Sequence, residues 1–375
     1  MDGHMLTEAM NPRELSELLG LDYEVVQMLY VVYAGEHDQY GAVLGGLEEY
    51  EIPMFDMFIF LKDQMESMNI SMDLGDTGDM SAEDISFILG TAETMKYVMN
   101  QKSKKAPHLQ GKSVIMLFYE QSARAKLAYE LAAQHLSANV IDMTNSVHSI
   151  EMESLQDMGQ LIDQMGADFI ILRHPMAGAP KLLADCVDAS VINAGDGFNE
   201  NPGQSLLDLL TIKEQKGGFE GLKVAIVGDL LHSRVSKSNI WGLTKLGAEV
   251  SVSGPPTLML PEIEKFGVNV CYDVREAVNN ADVILTTRMR METLDKFFLP
   301  SLDEYKRFFR IDEKLLKYAK KDAIVMHPGP IQRGIEISPG VIDSKQCIIN
   351  DQIANSVAVR MAMFYILSQV GGAFK

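Results

Sequence analysis

The sequence predicts an α/β protein with two doubly wound parallel sheets and an added helical N-terminal region. From Ser81 onward, short β-branched runs alternate with helical stretches, which is typical of parallel sheets covered by helices on both faces. The alternation forms two successive series, and a chain of 375 residues is long enough for two domains. We therefore expect two α/β domains with a cleft between them.

Residues 1–79 form the first predicted element and differ from the rest of the chain. Asn11 and Pro12 have the residue types of a helix N-cap and a first helical position, and apolar residues recur after them at helical spacing. The acidic, glycine-containing stretch Asp73–Asp79 is typical of a linker. We expect a helical extension that packs against the first domain or a neighbouring subunit. An effector or partner interface is the alternative.

The two series of strands and helices follow in order. The first series comprises strand Ser113–Tyr119, helix Arg124–Leu136, strand Val140–Met143, helix Met152–Met165, strand Phe169–Leu172, strand Val191–Ile192 and helix Leu206–Ile212. The second comprises strand Val224–Val227, helix Asn239–Leu246 and strands Val250–Val252, Val268–Cys271, Val283–Leu285 and Ala323–Met326. The two series predict domains at 80–207 and 208–350.

The charge balance restricts the partners that the protein can bind. With 33 Lys+Arg against 52 Asp+Glu, the net charge is −19, which argues against nucleic acid and against an anionic membrane surface. Small anions remain possible ligands, because a few arginines in a cleft outweigh the global field locally. The three cysteines lie far apart without zinc-like spacing, and no apolar run reaches the ~20 residues that span a bilayer. We expect a cytoplasmic protein without a metal centre.

Polar clusters follow the predicted strands directly. Because parallel sheets bind ligands at the carboxyl ends of their strands, these clusters predict one polar cleft, lined by arginines and suited to phosphate or carboxylates. Taken singly, each cluster also has a structural interpretation, such as an N-cap with solvated basic residues or a buried, satisfied histidine. The clusters are Glu120–Lys126, Arg173–Pro175, Asn193–Gly197, Asn201–Gln204, Gly228–Arg234, Thr286–Arg290 and His327–Pro330.

In this order, the clusters resemble the aspartate/ornithine carbamoyltransferases, and the aspartate branch more closely. The resemblance runs from about Ser81 to Leu367. Residues Glu120–Lys126 stand at the family's phosphate loop, while Arg173–Pro175 and Asn193–Gly197 match family signatures. The segment His327–Pro330 is similar to the aspartate branch.

The resemblance implies transfer of a carbamoyl group from carbamoyl phosphate to the amine of aspartate or a similar acidic amino acid. It also implies a homotrimer or higher assembly with shared active sites, no metal or organic cofactor, and a last helix, at 351–371, that completes the first domain. The implied catalytic residues are Arg124, Arg173 and Gln204. The implied ligands of carbamoyl phosphate are Ser122, Ala123, Arg124, Ala125, Arg173, Asn201 and Gln204. The implied ligands of the amino acid are Arg173, Arg234, Arg288, Arg290, Gly329 and Pro330, and Glu120 matches a glutamate that links the two domains.

Four positions depart from the family pattern on the carbamoyl-phosphate side. Ala123 and Ala125 replace two threonines, and Asn201 replaces a histidine that contacts the carbamoyl oxygen. Glu151 stands where the family has a phosphate-binding lysine, with His148 nearby as a substitute cation. Three hypotheses therefore stay open. The chain is a divergent carbamoyltransferase, a catalytically impaired paralogue with a binding, regulatory or assembly role, or an enzyme that uses another anion.

Overall fold

The computed structural model describes residues 75–101, 104–144, 154–289 and 298–373, which belong to one compact unit. The described strands are β1 Ser113–Phe118, β2 Asn139–Asp142, β3 Phe169–His174, β4 Ser190–Asp196, β5 Lys223–Val227, β6 Glu249–Ser253, β7 Asn269–Val270, β8 Val283–Thr286 and β9 Ile324–Met326. The described α-helices are α1 Ala82–Asn100, α2 Ala123–His135, α3 Leu155–Gln164, α4 Ala179–Ala184, α5 Pro202–Lys216, α6 Arg234–Lys245, α7 Val274–Val278, α8 Leu302–Phe308, α9 Pro339–Ile342 and α10 Ile349–Ala373. Within these ranges, none of the helices combines the length and apolar character that a membrane crossing requires.

The first sheet has four parallel strands in the order β2-β1-β3-β4. Strands β1, β3 and β4 are mostly buried because helices cover them, as the continuous hydrophobic runs of β1 and β3 require, whereas the edge strand β2 is largely exposed. Ile170 and Leu172 of β3 pack with Met158 and Ile162 of α3 in one core. The crossovers place the start of α2 and the ends of β3 and β4 at the same edge of the sheet.

The second sheet has five parallel strands in the order β7-β6-β5-β8-β9. Its core on one face joins β5, β8 and β9 to α7 and to the segment around Ile311 and Ile337. Both sheets are therefore doubly wound and parallel, and the α/β prediction is confirmed. The strand order reverses between β5 and β8, and such reversal points are where open α/β sheets bind ligands.

The last helix, α10, returns to the first sheet. It packs against α1, α2 and α5. The ring of Phe364 meets Tyr129 of α2 and Phe169 of β3 edge to face, at centroid distances of 6.2 and 5.4 Å. The C-terminal part of the chain therefore covers the first sheet.

The stretch predicted as a linker, Asp73–Asp79, is a fixed turn over residues 75–79. The carboxylate of Glu200 accepts hydrogen bonds from the backbone N–H groups of Thr77 and Gly78, at 2.7 and 3.1 Å. The ammonium group of Lys245 donates to the carbonyls of Thr77, Gly78 and Met80. The linker prediction is wrong for these residues, because partners more than 100 positions away hold the turn. The helices predicted before residue 75 lie outside the described residues.

Candidate functional site

A cavity of about 690 Å³ lies where the strand ends of the two sheets meet. It collects residues that are far apart in sequence. The predicted site residues that line it are Ser122, Ala123, Arg124, Ala125, Arg173, Asn201, Gln204, Arg234, Arg288, Gly329 and Pro330. Of the predicted ligands, Arg290 lies outside the described residues, as do Glu151 and His148. The predicted cleft therefore exists and contains every predicted site residue that the structure describes.

The start of α2 forms one wall of this cavity. Ser122 is the N-cap, its side chain makes no capping hydrogen bond, and the first helical residues are Ala123, Arg124 and Ala125. The first N–H groups of a helix carry a partial positive charge and lack intrahelical partners, so this wall can bind an anion. The two alanines offer only their backbone to such a ligand. Lys126 is ion-paired with Asp142 and is not among the lining residues.

Arg124 reaches from α2 to the loop that follows β9. A methyl group on Gly329 would lie 1.9 Å from Nη1 of Arg124, so the guanidinium group rests against the glycine backbone. Gly329 has a φ of +67°, which also favours glycine. Its N–H donates to Nδ1 of His327 at 2.8 Å. The residues His327–Pro330 thus form a loop against which the guanidinium group of Arg124, from helix α2, can pack.

His327 is neutral in this environment. The side chain is buried, and burial first, then the charges of Arg124 and Arg288, lowers its pKa to about 3. Its Nε2 lies 4.0 Å from Oε1 of Glu336, which is beyond hydrogen-bonding distance. This part of the cavity is therefore shielded from water and electropositive, because His327 is buried beside two guanidinium groups.

Glu120 joins the two domains at the cavity. Its Oε2 accepts a hydrogen bond from Nη2 of Arg234 at 2.7 Å and lies 3.3 Å from Nη2 of Arg173. Arg173 also donates to the carbonyl of Ala194 at 3.0 Å. Both guanidinium groups crowd Gly195, where a methyl group would approach Arg234 to 2.9 Å. The glutamate that the resemblance singled out therefore holds two of the predicted ligand arginines.

The start of α5 contributes Asn201 and Gln204. Asn201 is the N-cap, and its backbone N–H donates to the hydroxyl of Ser238 at 2.8 Å. One turn later, the amide nitrogen of Gln204 donates to the buried carboxylate of Asp208 at 3.0 Å. Burial raises the pKa of Asp208 to about 6. Asp208 lies within the predicted helix Leu206–Ile212, but nothing in the sequence indicated its contact with Gln204.

Arg360 of α10 is a lining residue that the sequence analysis missed. Its guanidinium group is buried, donates to the carbonyl of Ser356 and lies 4.6 Å from the ring centroid of Tyr129. Burial lowers its pKa. A lone arginine in the apolar stretch Ala358–Leu367 was the available signal. With Arg360, five arginines line the cavity, and none of the described lining residues is acidic. The cavity is therefore positive in a chain whose net charge is −19.

Two family models match the chain. The carbamoyl-phosphate-binding domain of aspartate/ornithine carbamoyltransferases matches residues 73–214. The aspartate/ornithine-binding domain of the same family matches residues 220–367. These spans agree with the order of the two sheets.

Curated proteins and solved structures are similar to the chain over most of its length. An aspartate carbamoyltransferase catalytic subunit of Acetivibrio thermocellus is 56% identical over 300 residues, which are 80% of this chain and 96% of that protein. The corresponding subunit of Ruminiclostridium cellulolyticum is 55% identical over 306 residues, or 81% and 98%. The M. jannaschii aspartate transcarbamoylase catalytic subunit superposes with a TM-score of 0.69 at 33% identity, covering 79% of this chain and 98% of that one. The Trypanosoma cruzi aspartate transcarbamoylase in complex with carbamoyl phosphate and aspartate gives 0.70 at 25%, covering 78% and 94%. On these matches, the chain belongs to the aspartate/ornithine carbamoyltransferase family.

Proposed function

We propose that the protein transfers a carbamoyl group from carbamoyl phosphate to the α-amine of aspartate. The observation that carries this proposal is the positive cavity, with an anion-binding helix start on one side and partly or fully buried arginines on the other. The relatives named as aspartate carbamoyltransferase catalytic subunits support it, as does the similar Trypanosoma cruzi structure with both substrates. A transferase of this class needs two anion sites that share one reaction centre, and the cavity offers both.

The phosphate end of carbamoyl phosphate belongs at the start of α2. The backbone N–H groups of Ala123 to Ala125, the hydroxyl of Ser122 and the guanidinium group of Arg124 are the donors there. Because the alanines carry no hydroxyl groups, this wall has two donors fewer than a loop with threonines. We therefore expect weaker binding of carbamoyl phosphate than such a loop gives.

The two carboxylates of aspartate belong with Arg234 and Arg288 across the cavity, and Arg173 lies between the two groups of cations. The aspartate amine attacks the carbamoyl carbon, a C–N bond forms, and the C–O bond to phosphate breaks. Neutral His327 is too weak a base to take the amine proton, since its pKa is about 3. The departing phosphate leaves as a highly charged oxyanion, which is much more basic than the neutral imidazole and is the better acceptor of the amine proton. The protein then accelerates the reaction by holding the two substrates in position and by stabilising the developing negative charge with its arginines.

We propose further that the protein is a homotrimer or higher assembly. Apolar side chains are exposed on the first sheet and its helices, with Leu127 of α2, which lines the cavity, at 57% and Ile141 of the edge strand β2 at 52%. A neighbouring subunit would cover such surface. Light scattering after size exclusion tests the assembly, with three chains of 41.6 kDa as the expected mass. A single-chain mass at micromolar concentration contradicts it.

Calorimetric titration tests the substrate assignment. We expect carbamoyl phosphate to bind the wild-type protein, and aspartate to bind tightly only after it. Arg124→Ala removes a charged donor that contributes about 1.5–3 kcal/mol and should weaken carbamoyl phosphate binding at least about tenfold. Arg275→Ala is the matched control, because Arg275 is exposed on α7 and paired with Asp273. No binding of carbamoyl phosphate at millimolar concentration refutes the assignment.

A further inference from the structure

Asp208 is a buried carboxylate at the centre of a hydrogen-bond network behind the cavity. Its Oδ1 accepts from the amide nitrogen of Gln204 at 3.0 Å and from that of Gln352 at 2.7 Å. Its Oδ2 accepts from the amide nitrogen of Asn239 at 2.8 Å. Asp208 does not itself line the cavity, whereas Gln204 does. The network thus connects α5, α6 and α10 through one side chain.

The donor and acceptor roles in this network are fixed by chemistry. The amide oxygen of Gln352 accepts the backbone N–H of His327 at 3.0 Å, so the amide nitrogen must be the atom that faces Asp208. An ionised carboxylate only accepts hydrogen bonds, and Asp208 is ionised above its pKa of about 6. The amide nitrogen of Gln204 is therefore also the atom that faces Asp208. This leaves the amide oxygen as the atom that Gln204 offers to the cavity, where no described residue donates to it.

We propose that Asp208 is a positioning residue that turns the amide oxygen of Gln204 into the cavity and thereby selects an acyl phosphate with an N–H group on its acyl carbon. The inference rests on the proposed function and adds its acyl-group specificity. A fixed acceptor pairs with the amino group of a carbamoyl compound. The same acceptor opposes the methyl group of an acetyl compound of nearly equal shape, because an unpaired polar atom is then buried.

Two stable phosphonates make the test independent of turnover. Phosphonoacetamide carries an amino group on its carbonyl carbon, and acetonylphosphonate carries a methyl group at the same place. Calorimetric titration at pH 8 should give the wild-type protein a preference of about tenfold or more for phosphonoacetamide. Equal affinity for the two compounds overturns the inference and leaves the proposed function standing. Binding of neither compound at millimolar concentration counts against both.

Variants of Asp208 and Asn239 distinguish a positioning role of Asp208 from a purely structural one. Asp208→Leu removes the acceptor and frees Gln204 to turn its nitrogen outward, so the preference should fall to about one. Asp208→Asn should restore it, because one oxygen still accepts from Gln204 and Gln352 while Asn239, whose own oxygen has no partner among the described residues, can turn to accept. Asn239→Leu is the matched control, since it disturbs the same carboxylate away from the cavity and should keep the preference.

Gln204→Met gives a second route if Asp208→Leu does not fold. Gln204 is only half-buried, and methionine has a similar shape without the amide oxygen. This variant should bind the two phosphonates equally. A preference that survives in Gln204→Met, or that is lost in Asn239→Leu as fully as in Asp208→Leu, overturns the inference.

Discussion

His327 should make the stability of the protein fall as the pH is lowered below neutrality. The unfolded chain takes up a proton on this residue below pH 6.5, whereas burial and the charges of Arg124 and Arg288 keep the folded side chain neutral down to about pH 3. A lowered folded pKa therefore means stability that is complete above pH 6.5 and is lost as the pH falls toward 3. Between pH 8 and pH 5, the stability changes only over the roughly 1.5 pH units below 6.5. At about 1.36 kcal/mol per pH unit, protonation of His327 in the unfolded chain therefore lowers the free energy of unfolding by about 2 kcal/mol.

The measurement compares the wild-type protein with His327→Asn in urea unfolding at pH 8 and pH 5. Asparagine can accept the N–H of Gly329 as Nδ1 does, and it does not titrate. The variant should lose about 2 kcal/mol less stability than the wild type over this interval. His135→Asn is the control, because His135 is only half-buried at the end of α2, outside the cavity, and its pKa is lowered by burial and then by Lys104 rather than by the cavity arginines. Equal losses in the wild type and His327→Asn would refute a dry, positive cavity around this side chain.

Three further changes test the site. Gly329→Ala places a methyl group against Arg124 at a φ of +67° and should weaken inorganic phosphate binding about tenfold in calorimetry; unchanged affinity would mean that Arg124 does not bind phosphate. Ala123→Thr adds a hydroxyl donor at an exposed position on the α2 wall and should strengthen phosphate binding about tenfold, since a hydrogen bond to a charged group contributes about 1.5–3 kcal/mol. Glu120→Gln removes the charge that pairs with nearly fully buried Arg234 and should lower the unfolding free energy by about 1–3 kcal/mol in urea titration; a neutral result would contradict the interdomain tie.

Much of the fold follows from the sequence because its strands are continuous apolar runs. The predicted strands Val224–Val227 and Val283–Leu285 agree with β5 and β8 to within a residue. The helix Ala82–Asn100 was not predicted, since its buried residues, such as Ile85, Phe87, Ile88 and Leu89, face several directions and give no single apolar stripe. The spacing of apolar residues does not predict a helix that is buried on more than one side.

The candidate site was predictable where a residue follows a strand and hidden where it depends on distant partners. Arg173 lies at the end of β3 and Arg234 opens the helix that follows β5, so their convergence follows from the parallel topology. Arg360 and Asp208 lie within helices, and their roles come from contacts with residues on other elements. The turn at residues 75–79 is a similar case, because composition alone cannot reveal that Glu200 and Lys245 hold it.

The formation of carbamoyl aspartate tests the central claim most directly. Purified protein is mixed with carbamoyl phosphate and aspartate, and both carbamoyl aspartate and inorganic phosphate are measured over time. The account predicts that the two products form in equal amounts, at a rate that depends on aspartate and drops strongly in Arg124→Ala but not in Arg275→Ala. Phosphate release at the uncatalysed rate, without carbamoyl aspartate, would contradict it.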